Sequence, residues 1–229
     1  MRKMKILGLE FRDYSVKEAL RMVGQYLNNA RLDTICFLST DILLNAGEDE
    51  NLKVWLESMD LTIPVSVEIL HAAGITNKSR LKEVENSIFY KEFFKRLSNE
   101  KRTVFILAET EAVLQASLEN VQVNAKDMVI AGTYAFENLP GDTDAIINDI
   151  NQAAPDVVLS RLSSPKQEQF VYDNKNKINA KIWVALKDTF VLKESAKGLK
   201  FEKLSKLIEK TIFRRMVSKY ENTQGKGDS

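Results

Sequence analysis

The chain of 229 residues has one cysteine, Cys36, and one histidine, His71. A lone cysteine excludes an intrachain disulfide, and one residue of each kind is too few for a Cys/His zinc site, so both read as structural. An excess of either charge is also missing. With 33 Lys and Arg against 32 Asp and Glu, the net charge is +1, which argues against a nucleic-acid-binding protein. No apolar run approaches the roughly 18 residues needed to cross a bilayer. The basic start has too short an apolar run for a signal sequence before Glu10, Arg12 and Asp13 intervene. A cytoplasmic chain is expected. It shows no internal repeat, and no linker before about Phe190, so one domain accounts for most of its length.

What is present is an alternation of short β-rich runs and helical patterns. Strand candidates are Lys5 to Glu10, Thr34 to Leu38, Asp60 to Val65, Thr103 to Leu107, Asp127 to Ala131, Asp156 to Ser160 and Lys181 to Leu186. Between them, Ser15-Val16-Lys17-Glu18 forms a capping box that opens a helix carrying Ala19, Leu20, Val23 and Leu27. Ser39-Thr40-Asp41 caps a second helix, and Ser66 can cap a short third. Ile88, Phe89, Phe93, Phe94 and Leu97 form a helical stripe of the kind that fills a core. The polar stretch from Thr76 to Glu85 reads as a loop. The pattern predicts an α/β, Rossmann-like, mostly parallel sheet with helices on both faces.

From Lys193 to Lys219 the character changes, with nine Lys or Arg against three Glu. Phe201, Leu204, Leu207, Ile208, Ile212 and Met216 share one helical face. This predicts a basic amphipathic appendage helix over about 191–220, lying either on the domain of about 1–190 or on an anionic membrane surface. The polar tail 221–229 is expected to be disordered.

A ligand is expected where strands hand over to helices. In open α/β sheets, ligands lie beyond the carboxyl ends of the strands, and helix N-termini there present free N–H groups to anions. The handover from Asp156-Val157-Val158-Leu159-Ser160 to Ser164-Pro165-Lys166-Gln167-Glu168 is the leading place. The alternative is a capping box closed by Ser164 and Gln167. Asp142-Thr143-Asp144, the only D-x-D, opens a helix, where acidic residues suit the dipole, and no metal is expected there.

The stretch Asn-Asp-Ile-Asn-Gln-Ala-Ala-Pro-Asp-Val-Val-Leu-Ser, followed by Pro-Lys-Gln-Glu-Gln-Phe, resembles the signature I-N-x-x-x-P-D-x-x-x-V-x-x-G-x-P-K-Q-E-x-W. That signature belongs to the WecB/TagA/CpsF glycosyltransferases, bacterial enzymes of cell-envelope polysaccharide synthesis. The likeness of element order runs from about Met4 to about Phe190. It implies transfer, with inversion, of an N-acetylmannosamine-type sugar from a UDP-sugar to a polyprenyl-diphosphate-linked acceptor. It also implies peripheral attachment to the inner membrane face through the basic appendage, and no cofactor. Room is left for a homo-oligomer.

Carried over position by position, the resemblance gives substrate-binding roles to Ser39, Asp41, Ser164, Lys166, Gln167 and Glu168. Arg214 and Arg215 correspond to appendage arginines that would bind diphosphate. The family's T-x-N-A-D becomes Phe37-Leu38-Ser39-Thr40-Asp41, with Thr40 able to serve in place of the threonine now read as Phe37. Where the family reads P-D-G-x-G, this chain has Pro64-Val65-Ser66-Val67-Glu68. The aspartate regarded as the base is therefore Val65. Glu68 is the substitute to consider against the alternative of a surface glutamate, so the candidate catalytic residues are Glu68 and Thr40. Ser163 stands for the glycine before Pro-Lys-Gln-Glu. A second reading follows from these departures: a catalytically inactive homologue that binds a nucleotide-sugar or a partner enzyme and has a regulatory or scaffolding role.

Overall fold

The computed structural model describes residues 2–139, 141–186, 210–220 and 222. The chain opens with an antiparallel hairpin, β1 (Arg2–Ile6) and β2 (Leu9–Asp13), rather than the single strand expected. Leu7 at φ 50° and Gly8 at φ 83° make its two-residue turn, whose positive φ values match the twist of the flanking strands. Helix α1 (Val16–Tyr26) begins as expected. Ser15 Oγ accepts the Glu18 N–H, and the Glu18 carboxylate accepts from the Ser15 backbone at 2.9 Å.

The main sheet follows: β3 (Asp33–Leu38), α2 (Thr40–Ala46), α3 (Glu50–Glu57), β4 (Leu61–Pro64), α4 (Val67–Ala72), α5 (Lys78–Glu85), α6 (Ile88–Asn99), β5 (Thr103–Ala108), α7 (Glu111–Asn124) and β6 (Val129–Ala135). After a 3-10 turn at Phe136–Asn138 come α8 (Asp144–Ala153), β7 (Val157–Arg161), α9 (Lys166–Asn174) and β8 (Ile182–Ala185). A last helix, α10, covers 210–220. The six strands β3 to β8 are all parallel, in the order β4-β3-β8-β7-β5-β6. The stretch from Thr76, expected as a loop, contains α5, capped by Asn77 accepting from the Arg80 N–H at 3.0 Å.

Alternate residues of each strand supply two cores. On one face, Ile35 and Phe37 of β3, Val104 and Ile106 of β5 and Val157 and Leu159 of β7 pack against α1, α6 and α7, including the expected stripe Phe89, Phe93, Phe94 and Leu97. On the other, Cys36, Leu38, Phe105, Val158 and Trp183 pack against the hairpin, α2, α3, α4, α8 and α9. Apart from the edge strand β6, the strands are buried on both sides, as parallel strands require.

Helix α10 packs on that second face. Phe213 is 1% exposed there, with Val217 and Tyr220 beside it. The buried stripe is thus one position on from the expected Ile212 and Met216, and Ile212 is 48% exposed. Phe201, Leu204, Leu207 and Ile208 lie outside the described residues, as does the tail apart from Asn222. Among the described residues no helix is long and apolar enough to cross a membrane.

Candidate functional site

Topology picks out one crevice. From β5 the chain leaves through α7 towards β6 at the sheet edge, and from the neighbouring β7 it leaves through α9 towards β8 in the opposite direction. The two connecting helices cover opposite faces. The carboxyl ends of β5 and β7 therefore part at a topological switch point, where open α/β sheets take their ligands.

Glu109, the residue after β5, sits in this crevice. Its backbone N–H donates to Arg161 O at 3.2 Å and its carbonyl accepts from the Glu137 N–H at 3.1 Å, so its main chain is pinned to both flanking loops. Its carboxylate accepts three hydrogen bonds from across the crevice: the Ser163 N–H at 2.9 Å, Ser163 Oγ at 3.1 Å and Lys166 Nζ. Burial pushes this carboxyl up, but Lys166 and Ser163 outweigh it and hold Glu109 below the usual glutamate range. Lys166 is also steadied by the Phe136 ring, with Nζ 4.6 Å from its centroid.

One residue further along α9, the chain turns inward. Gln167 is 2% exposed and Glu168 is fully buried. The Ser164–Gln167 capping box does not form: Pro165 takes the N-cap position after a cis peptide, and the Gln167 N–H donates to Ser163 O at 3.1 Å. The Ser164 hydroxyl, Gln167 Oε1 and both Glu168 oxygens are instead buried without hydrogen-bond partners among the described residues, together with Ser160 Oγ and Trp183 Nε1. Burial raises the Glu168 carboxyl to about 7, offset only in part by the nearby Ser164 and Gln167. The Cys36 thiol is pushed up by burial first and by the charge of Glu168 second. Buried polar groups without partners are costly, so their concentration at the start of one helix marks a place built for more than packing.

The second group of candidates stands two strands away. Ser39 caps α2 by accepting the Ile42 N–H at 3.4 Å, with Thr40 and Asp41 in the first turn. Strand spacing puts this end of β3 roughly 10 Å from the end of β7. Glu68 is not a surface glutamate: it is 4% exposed and paired with Lys210 of α10 at 2.9 Å. Burial would raise its carboxyl, but the pair with Lys210 overrides this and leaves it lowered.

Nor does Glu68 line the cleft into which Val65 faces. That space is walled by Tyr14, Phe37, Ile63, Phe89 and Tyr90, with Arg80 and Glu83 also lining it. Arg80 is held there by Asp13 at 2.8 Å and Glu83 at 3.3 Å. Arg214 and Arg215 are exposed on α10.

The structure thus brings Ser164, Lys166, Gln167 and Glu168 together, holds Ser39, Thr40 and Asp41 at a neighbouring strand end, and leaves Glu68 on the sheet face that carries α9 but tied to Lys210 and turned away from the Val65 cleft. Asp142 and Asp144 do not face each other across a gap: the Asp144 N–H donates to Asp142 Oδ1 at 3.0 Å, and Asp144 pairs with Lys177 at 3.5 Å. Glu109 was not among the expected residues. The rule that singled out Ser39, a polar side chain just after a buried strand, applies to it equally.

An open, doubly wound parallel sheet with a polar crevice at its switch point defines a Rossmann-like α/β protein, a class whose ligands lie at the strand ends. The sequence profile of the glycosyl transferase WecG/TagA/CpsF family matches residues 4–192, and the chain belongs to that family. It matches no curated protein.

Proposed function

We propose that this chain binds a UDP-sugar in the β5–β7 crevice and transfers the sugar, of N-acetylmannosamine type, to a polyprenyl-diphosphate-linked acceptor at a membrane face. Family membership supports the class of reaction. The observation that supports the place is the start of α9, where Gln167 and Glu168 are buried without partners beside Lys166. In the transfer, the acceptor oxygen bonds to the anomeric carbon as the bond from that carbon to the UDP oxygen breaks, UDP leaves, and a base takes the hydroxyl proton. The donors at the crevice are suited to the leaving diphosphate.

Calorimetric titration with UDP and UDP-N-acetylhexosamines, followed by product detection with a polyprenyl-diphosphate-sugar, tests this reading. Gln167→Ala is expected to weaken UDP binding about tenfold, as loss of one buried hydrogen bond does. Unchanged affinity would remove Gln167 from the site.

A second reading, the inactive homologue, is favoured by one particular observation. Among the described residues, the cleft at Val65 offers no carboxylate except Glu83, which is held by Arg80 and the Val16 N–H, while Glu68 is engaged by Lys210. Binding of UDP-sugar without turnover would select it.

For the membrane, the exposed Ile212, Arg214 and Arg215 give α10 an outer face suited to anionic lipid. Each basic residue near such a surface contributes about 1 kcal/mol. Arg214→Glu with Arg215→Glu should therefore lower partitioning onto phosphatidylserine vesicles at least about thirtyfold. Unchanged sedimentation with vesicles would refute the attachment.

A further inference from the structure

We infer that Ser163 and Lys166 form the subsite for the donor's phosphate, and that Glu109 is its resting occupant, an internal anion that the ligand must displace. The inference rests on the reading of the crevice as a nucleotide-sugar site, and adds to it a competitor within the chain. A backbone N–H, a hydroxyl and an ammonium converge on one anion here, which is the donor set used for phosphate oxygens.

The pair is poorly placed to be a structural tie. The Lys166 and Glu109 side chains are 40% and 28% exposed, and ion pairs of that kind add little stability. Lys166 does not need Glu109 to hold it, since the Phe136 ring already supports its ammonium. The Glu109 backbone is fixed by its bonds to Arg161 O and the Glu137 N–H, so leaving the subsite requires only rotation of the Glu109 side chain. A diphosphate carries more negative charge than a carboxylate and offers more acceptor oxygens, so it outcompetes Glu109 at the same three donors. Apparent affinity is then the intrinsic affinity reduced by the fraction of time the donors are open.

The test compares wild type with Glu109→Ala and Glu109→Gln, titrated with UDP, inorganic pyrophosphate and uridine, with circular dichroism confirming the fold. If Glu109 occupies the donors about nine-tenths of the time, Glu109→Ala should bind UDP and pyrophosphate about tenfold more tightly, with uridine affinity unchanged. Glu109→Gln, which keeps the shape but drops the charge, should fall between. Lys166→Ala added to Glu109→Ala should abolish the gain. UDP affinity equal to or weaker than wild type in Glu109→Ala would overturn the inference while leaving the nucleotide reading intact. A gain for pyrophosphate with no binding of UDP would uphold the anion subsite and overturn the nucleotide reading. No binding of any of these anions by any variant would overturn both.

Discussion

If the donor sugar and acceptor reach from the β5–β7 crevice to the end of β4, roughly 14 Å away by strand spacing, Val65→Asp is expected to raise sugar transfer by about a hundredfold or more over wild type, the usual contribution of a positioned general base. Val65 follows β4 directly, and its N–H donates to Leu38 O at 3.0 Å, so the backbone is held whatever the side chain. Its side chain is 39% exposed, which lets a carboxylate there keep part of its hydration and leaves stability nearly unchanged. It faces the same cleft as Phe37, the position where the family signature has its threonine. Among the described residues no other acid is free to act there. Glu83 is tied to Arg80, and Glu68 lies on the far face with Lys210. Val65→Asn, of the same shape but without a base, should stay at the wild-type rate. Product formation from UDP-N-acetylhexosamines decides the matter: equal rates for wild type and Val65→Asp would show that this cleft is not where the acceptor hydroxyl is deprotonated.

The layering of the fold was legible because each strand carries its own signal. Strands such as Thr103 to Leu107 and Val157 to Ser160 are continuous apolar runs, as burial on both faces demands. The Ser15–Glu18 box could be read directly, since all its partners lie within one turn. Helix α5 was hidden because only Val84 among its eight residues is buried, so its pattern is almost wholly polar. Edge strand β6 runs over Val129–Ala135 where the pattern predicts Asp127 to Ala131, because its burial alternates along the strand instead of giving a solid apolar block.

At the candidate site, the start of α9 was legible from its place after a buried strand, but the role of each side chain was not. Nothing local to Glu68 says that Lys210 will close over it, and nothing local to Gln167 distinguishes a capping side chain from a buried unpartnered one. Glu109 shows the same limit from the other side. Its partners Ser163 and Lys166 come from the loop and helix after β7, a strand that becomes its neighbour only through the sheet order.

The burial of Glu168 should make the protein lose stability as pH rises through the range where most glutamates have already ionised. In the unfolded chain this carboxyl has its ordinary value near 4.5, and in the folded protein it stands at about 7. Between these two values the folded state holds a proton that the unfolded chain has released. The unfolding free energy therefore falls with rising pH, by about 1.4 kcal/mol per unit, and by about 3 kcal/mol across the window. Above about 7 both states are ionised and the loss is complete.

Other shifted carboxyls act elsewhere. Glu68, Glu109 and Asp60 are held below their usual values, so the stability they add is present at neutral pH and is lost only as pH falls below the ordinary carboxylate range. Cys36 is kept neutral by burial, with the charge of Glu168 acting the same way, and does not titrate in the window. Glu168→Gln preserves the shape without the titration. Its amide can donate to the neighbouring Ser164 or Gln167 oxygens. Urea unfolding at pH 5 and pH 8 should show wild type losing about 3 kcal/mol more than Glu168→Gln between the two. Parallel losses in the two proteins would mean that Glu168 is ionised in the fold, and that a cation or bound water outside the described residues meets its charge.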